Sequence, residues 1–203
     1  MDTTVNPVCG SGFGVALRVG LVLWLTLLSF ICGLLVPRLS HSADLHLSSL
    51  SLRARVFGAT VLGEPQPEEF QEYDVAANFG LPWERYSESG WGMGTRLMVS
   101  AGIMRGGGET ALIVSLIPEL ILGSADGRFT LDLGAGGALL SRHRFGRQDY
   151  GGPFQFALTA GVGVPFYKNL GLGYRFLHYS DAGVNGPDTI GADFHMIEFS
   201  YRL

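Results

Sequence analysis

The stretch FQFALTAGVGVPF, residues 154–166, decides the fold. Phe154, Phe156, Leu158, Ala160, Val162, Val164 and Phe166 recur at every second position, with Gln155, Ala157, Thr159, Gly161 and Gly163 between them. Successive side chains of a strand point to opposite faces, so this alternation predicts a β-strand with one apolar face and one small or polar face.

Seven further segments have strand composition: 49–62, 70–81, 91–104, 110–122, 128–140, 169–180 and 193–203. Turn-forming stretches such as GEPQPEE, RGGG, SADG and YKN separate them. Eight alternating strands fit a soluble sandwich or lipocalin-like barrel with the apolar face inward. They equally fit an outer-membrane barrel, apolar outward and polar inward. Opposite the apolar face lie Arg53, Arg55, Glu72, Asp74, Arg96, Asp132, Arg175, Glu198 and Arg202, the mixture of signs that a lumen of paired charges needs. Tight turns alternate with longer loops, as in bacterial outer-membrane barrels. The final segment carries Ile197, Phe199, Tyr201 and Leu203 on one face and resembles the closing strand of such barrels, with Leu203 where Phe is more usual. The fold expected is an all-β, eight-stranded antiparallel transmembrane β-barrel of the outer membrane.

Composition agrees. The chain has 203 residues, 30 of them Gly, and a net charge of −4. Lysine occurs once, at Lys168, so no basic surface recommends nucleic acid. Residues 21–36 form an uncharged apolar run after Arg18, followed by Pro37 and small polar residues. That order predicts a signal peptide over residues 1–43, leaving a barrel domain over 44–203. Both cysteines, Cys9 and Cys32, fall in the leader, which excludes cysteine catalysis and Cys-based metal sites from the mature chain. His46, His143 and His195 lack metal-ligand spacing, and no metal or other cofactor is expected.

The segment 169–180 carries the chemistry. Leu170, Leu172, Tyr174 and Phe176 share the apolar face, and His178 and Ser180 continue it, which puts them on the outside of the barrel near one rim. Residues two apart on a strand are about 6.5–7 Å apart, within reach of an imidazole and a hydroxyl. Serine becomes a useful nucleophile when a base takes its proton, and histidine is the usual base. From spacing alone, the same pair also reads as the polar end of a lipid-facing band.

FLHYSDAGVNGPDTIGADF, residues 176–194, resembles the C-terminal motif of the PagL-type lipid A 3-O-deacylases at His178, Tyr179, Ser180, Ala182, Gly183 and Pro187. The resemblance implies an outer-membrane serine esterase that removes the acyl chain ester-linked at position 3 of lipid A, so that lipopolysaccharide is its substrate. It implies a metal-free triad on the outer barrel surface, facing the outer leaflet: His178 as base, Ser180 as nucleophile and Asp193 as acid. Asp181 and Asp188 stand where the family has Asn, and the loop is one residue longer, so the acid falls fifteen positions after His178. The backbone amides of Ala182 and Gly183 are then the expected oxyanion donors. Parity separates Asp193, on the outward face with His195, from Glu198, on the lumen face beside Arg175. His195, also outward, competes with His178 as the partner of Asp193.

Arg142, Arg144 and Arg147 cluster in RHRFGR and suit bidentate phosphate contact, or simply a solvated loop. Trp83 and Trp91 flank a turn at the opposite end and suit an aromatic girdle. The alternatives to a deacylase are a structural or adhesive small barrel and a phospholipase acting on glycerophospholipids.

Overall fold

Strands of alternating character leave two unequal faces, and closing the sheet hides one of them. The computed structural model describes residues 45–124, 128–186 and 188–203. The strands are β1 (His46–Phe57), β2 (Phe70–Tyr86), β3 (Trp91–Gly106), β4 (Glu109–Ser124), β5 (Thr130–Leu140), β6 (Arg144–Phe145), β7 (Gln148–Asp149), β8 (Phe154–Tyr167), β9 (Leu170–Ser180) and β10 (Ala192–Arg202). Eight of them close in sequence order into an antiparallel barrel, with β10 pairing back onto β1, and β6–β7 form a separate small hairpin. The expected eight-stranded all-β barrel is therefore the observed fold. The predicted signal peptide lies outside the described residues, as does Pro187.

Boundaries differ most in three places. The second strand runs on to Tyr86 rather than ending at residue 81, so much of the stretch PWERYSES expected to turn is extended. The first strand ends at Phe57 rather than at residue 62, because residues 59–62 leave the sheet to bond Asp193 and His195 on β10. The long connection after β5 contains the β6–β7 hairpin, too short to produce a periodic signal. The two-residue turn Gly107–Gly108 has φ of 54° and 79°; both central residues of such a hairpin are left-handed, which glycine permits without steric cost.

The connections after β1, β3, β5 and β9 gather at one end of the barrel and those after β2, β4 and β8 at the other. Leu52, Leu112, Leu133 and Phe199 are exposed on the outer wall. Trp83 and Trp91 are exposed near the β2–β3 turn, and the Trp91 ring lies 6.0 Å from Phe129.

The lumen is filled in two layers. The lower one is ionic. Arg53 holds Asp74 through two hydrogen bonds of 2.6 and 2.9 Å. Arg175 donates to Glu198 at 2.7 Å, to Glu119 at 2.9 Å and to Asp132 at 2.8 Å. Arg96 pairs with Glu119 and Asp132. Gly161 leaves the room this requires: a Cβ there would stand 2.6 Å from Asp132 and 3.0 Å from the Arg175 guanidinium. The upper layer is aromatic. Phe70, Phe145, Tyr150 and Phe194 meet edge to face, Tyr179 packs on Phe194, and Met104 and Leu177 complete the layer. Phe145 and Tyr150 come from the connection holding β6 and β7, which thereby stoppers the barrel mouth.

Candidate active site

Register brings the site together. His178 on β9 is paired directly with Asp193 on β10, and Leu158 on β8 faces His178 from the other side. Directly paired residues have Cβ atoms about 4.5–5.5 Å apart, within reach of an imidazole and a carboxylate. His178 Nδ1 lies 2.6 Å from Asp193 Oδ1. Ser180 follows His178 on the same strand face, opposite Phe156. That face also carries Tyr174 and Phe176, while Arg175, Leu177 and Tyr179 are buried in the lumen. Ser180 is half-buried and makes no side-chain hydrogen bond among the described residues.

The second carboxylate oxygen of Asp193 is held from another element. Oδ2 accepts the backbone N–H of Val61 and, at 2.8 Å, that of Leu62. Gln66 Nε2 donates to the Asp193 carbonyl at 2.9 Å. These bonds dock the β1–β2 connection onto β10 and leave Asp193 with no exposed surface. A carboxylate bonded at both oxygens cannot rotate away from His178. No side chain signalled this arrangement in the sequence, because main-chain amides make it.

His195 does not compete for Asp193. Its Nδ1 meets the Tyr174 hydroxyl at 2.5 Å, its Nε2 meets the Ala59 carbonyl at 2.9 Å, and its ring stacks on Phe57 at 4.5 Å. Glu198 sits in the lumen, accepting from Arg175 and from Ser51 at 2.7 Å.

The loop after Ser180 is organised by Asp181. Its carboxylate accepts the N–H of Gly183 and of Asn185, each at 2.9 Å, and the Thr189 hydroxyl at 2.8 Å. Asp181 thus faces its own loop and caps it, whereas Asp188 is exposed. Ala182 and Gly183 both have positive φ, 54° and 77°. Of the two expected oxyanion donors, the Gly183 amide is committed to Asp181, and the Ala182 amide has no partner among the described residues.

The arginine cluster meets carboxylates. Arg142 pairs with Glu109 at 3.2 Å and Arg144 with Asp149 at 2.7 Å. Arg147 pairs with Glu68 at 3.3 Å and also bonds the Pro67 carbonyl at 2.7 Å. The Arg147 backbone and side-chain N–H groups hold the Glu68 carboxyl below the usual glutamate range. Asp149 is partly desolvated, but bonds from Gly151, His143 and Arg144 outweigh that and depress its carboxyl too.

Comparison with known proteins follows the same lines. A family model described as Lipid A 3-O-deacylase (PagL) matches residues 71–202. The lipid A deacylase PagL of Bordetella bronchiseptica is 29% identical over 76 residues, 37% of this chain. The aligned part spans 42% of that relative's length. The crystal structure of the outer membrane enzyme PagL superposes with a TM-score of 0.63 at 20% identity, covering 77% of this chain and 100% of that one.

Proposed function

The chain belongs to the lipid A 3-O-deacylase (PagL) family, and from that premise we propose that it is an outer-membrane esterase releasing the 3-position acyl chain of lipid A. His178, Ser180 and Asp193 form its triad on the outer wall, open to the outer leaflet. The observation that carries this reading is the 2.6 Å contact between His178 Nδ1 and Asp193 Oδ1, with Ser180 next along the same face.

The chemistry runs through these atoms. Nδ1–H donates to Asp193, which leaves Nε2 as the proton acceptor. As Ser180 Oγ attacks the ester carbonyl, its proton passes to Nε2. The tetrahedral intermediate collapses by breaking the bond to the sugar oxygen, which takes the proton from Nε2. A water then attacks the acyl-serine, giving its proton to Nε2, and the fatty acid leaves as Ser180 Oγ recovers a proton. Contacts between nucleophile and base commonly tighten only when substrate is bound. The Ala182 N–H is the available donor toward the developing oxyanion, with Gly183 shaping the turn behind it.

Arg142, Arg144 and Arg147 serve in this reading as contacts for the substrate's phosphates. Their carboxylate pairings are surface pairs, each worth less than about 1 kcal/mol, which a phosphate can displace. Incubating lipopolysaccharide with wild type and with Ser180→Ala, followed by mass spectrometry of lipid A, tests the proposal. Loss of one 3-position acyl chain with wild type alone is the expected result. Acyl release from phospholipids instead would establish a phospholipase, and no release from either would favour a structural barrel.

A further inference from the structure

Gly191 lies where a side chain would collide with the site. A Cβ built on it would stand 2.7 Å from the Tyr179 carbonyl, 3.0 Å from Ser180 Cβ and 3.1 Å from His178 Cε1. Its backbone is not left-handed, so space rather than conformation calls for glycine there. Cε1 is the ring carbon between the nitrogen that meets Asp193 and the nitrogen that must receive the serine proton. The main chain at 191 is thus a wall against the edge of the imidazole.

That wall is held from across the barrel mouth. Gln148, on the small hairpin strand β7, is fully buried. Its Nε2 donates to the Ile190 carbonyl at 2.5 Å and to the Gly191 carbonyl at 3.0 Å. The Ile190 N–H returns a bond to the Asp149 carbonyl at 3.0 Å. Meanwhile Gln148 Oε1 is buried with no hydrogen-bond partner among the described residues. Burying an unpaired acceptor costs stability, so this amide is not placed to satisfy itself. Its two donors serve the two carbonyls flanking the wall.

We infer that Gln148 is a positioning residue for the His178–Ser180 pair, acting through the Ile190–Gly191 backbone, and that Gly191 is the one residue that fits between them. The inference rests on the triad reading above. The stoppering hairpin then has a second task, because it fixes the closing edge of a site whose reacting groups belong to other strands.

The experiment uses the full barrel refolded in detergent, with folding checked by heat-modifiable gel mobility. Turnover of lipopolysaccharide and the rate of Ser180 labelling by a fluorophosphonate are measured for wild type, Gly191→Ala and Gln148→Met. Methionine keeps the length and bulk of glutamine without its donors. Val184→Ala, in the same loop but exposed, serves as a control expected to match wild type. The inference predicts that both test variants fold and keep KM within about twofold. It predicts that kcat and labelling rate fall together by about 100-fold, the scale of a roughly 1 Å misplacement. Wild-type labelling and kcat in folded Gln148→Met or Gly191→Ala, while Ser180→Ala and His178→Ala are inactive, would overturn the clamp and leave the triad standing. Activity in Ser180→Ala would overturn the triad itself. Failure of both test variants to fold would assign the clamp to stability alone and overturn the inference as well.

Discussion

Asp193 stands directly across the β9–β10 ladder from His178, and its two oxygens are divided between two tasks: Oδ1 meets the imidazole at 2.6 Å, while Oδ2 takes the amides of Val61 and Leu62. Asparagine cannot perform both. With its carbonyl oxygen on the two amides, its NH2 group faces His178 Nδ1 and selects the wrong tautomer. Asp193→Asn should therefore fold and lose about 10⁴-fold in kcat, as such replacements do in serine hydrolases. Turnover near wild type, with folding verified by gel mobility, would remove Asp193 from the mechanism.

Ser180→Ala and His178→Ala should each abolish deacylation while leaving the barrel intact, since neither takes part in the lumen network. Mass spectrometry of lipid A reads the activity and gel mobility reads the fold. Residual turnover above about 10⁻³ of wild type in Ser180→Ala would exclude it as the nucleophile.

Val61→Pro removes one N–H from Asp193 Oδ2 without touching a side chain of the triad. A hydrogen bond to a charged group is worth about 1.5–3 kcal/mol, so kcat should fall by at least about tenfold. Unchanged kcat would show that the Leu62 amide at 2.8 Å is a sufficient anchor by itself.

Glu198→Gln addresses the lumen instead. It weakens the 2.7 Å bond from Arg175, whose guanidinium keeps Glu119 and Asp132 as partners. Breaking a buried pair costs about 3 kcal/mol. The midpoint of urea unfolding in detergent should drop while kcat stays at the wild-type value. Inactivity in a fully stable Glu198→Gln would mean that the acid had been misassigned.

Glu68 and Asp149 fasten the connection holding β6 and β7, and both carboxyls are depressed. A depressed folded-state value contributes stability above the unfolded value, near 4 for these groups, that is lost as pH falls through the folded one. Carboxyl NMR should place both midpoints below those of free side chains. Arg147→Ala should restore only part of the Glu68 shift, because the residue 147 peptide N–H still donates at 3.0 Å. A Glu68 midpoint at the free value in the wild type would show that this contact does not form in solution.

The barrel was legible because its physics is periodic. Alternation over 154–166 marked β8, and inward charges such as Arg175 and Glu198 foretold an ionic lumen. The pairing of His178 with Asp193 rather than Glu198 follows from face and height, which parity and one hairpin register define. Three other features carry no such period. The amides of Val61 and Leu62 belong to a stretch whose side chains say only that it turns. Gln148 is one polar residue in a polar loop, yet it is buried and holds the wall behind His178. Asp181, an apparent substitution at the site, turned its charge into three bonds within its own loop. Irregular backbone decided each of these, docking over long range for Val61, Leu62 and Gln148 and folding back on itself around Asp181.

The aromatic stopper formed by Phe70, Phe145, Tyr150 and Phe194 over the ionic layer has an electrical consequence. Side chains packed across the lumen in this way narrow any path for ions, so the barrel should add little conductance to the bilayer in which it sits, which planar-bilayer recording checks. Catalytic output and permeability are thereby uncoupled. On the proposed reading, a cell can raise the number of these molecules without discharging ions, and substrate and product reach the site sideways through lipid.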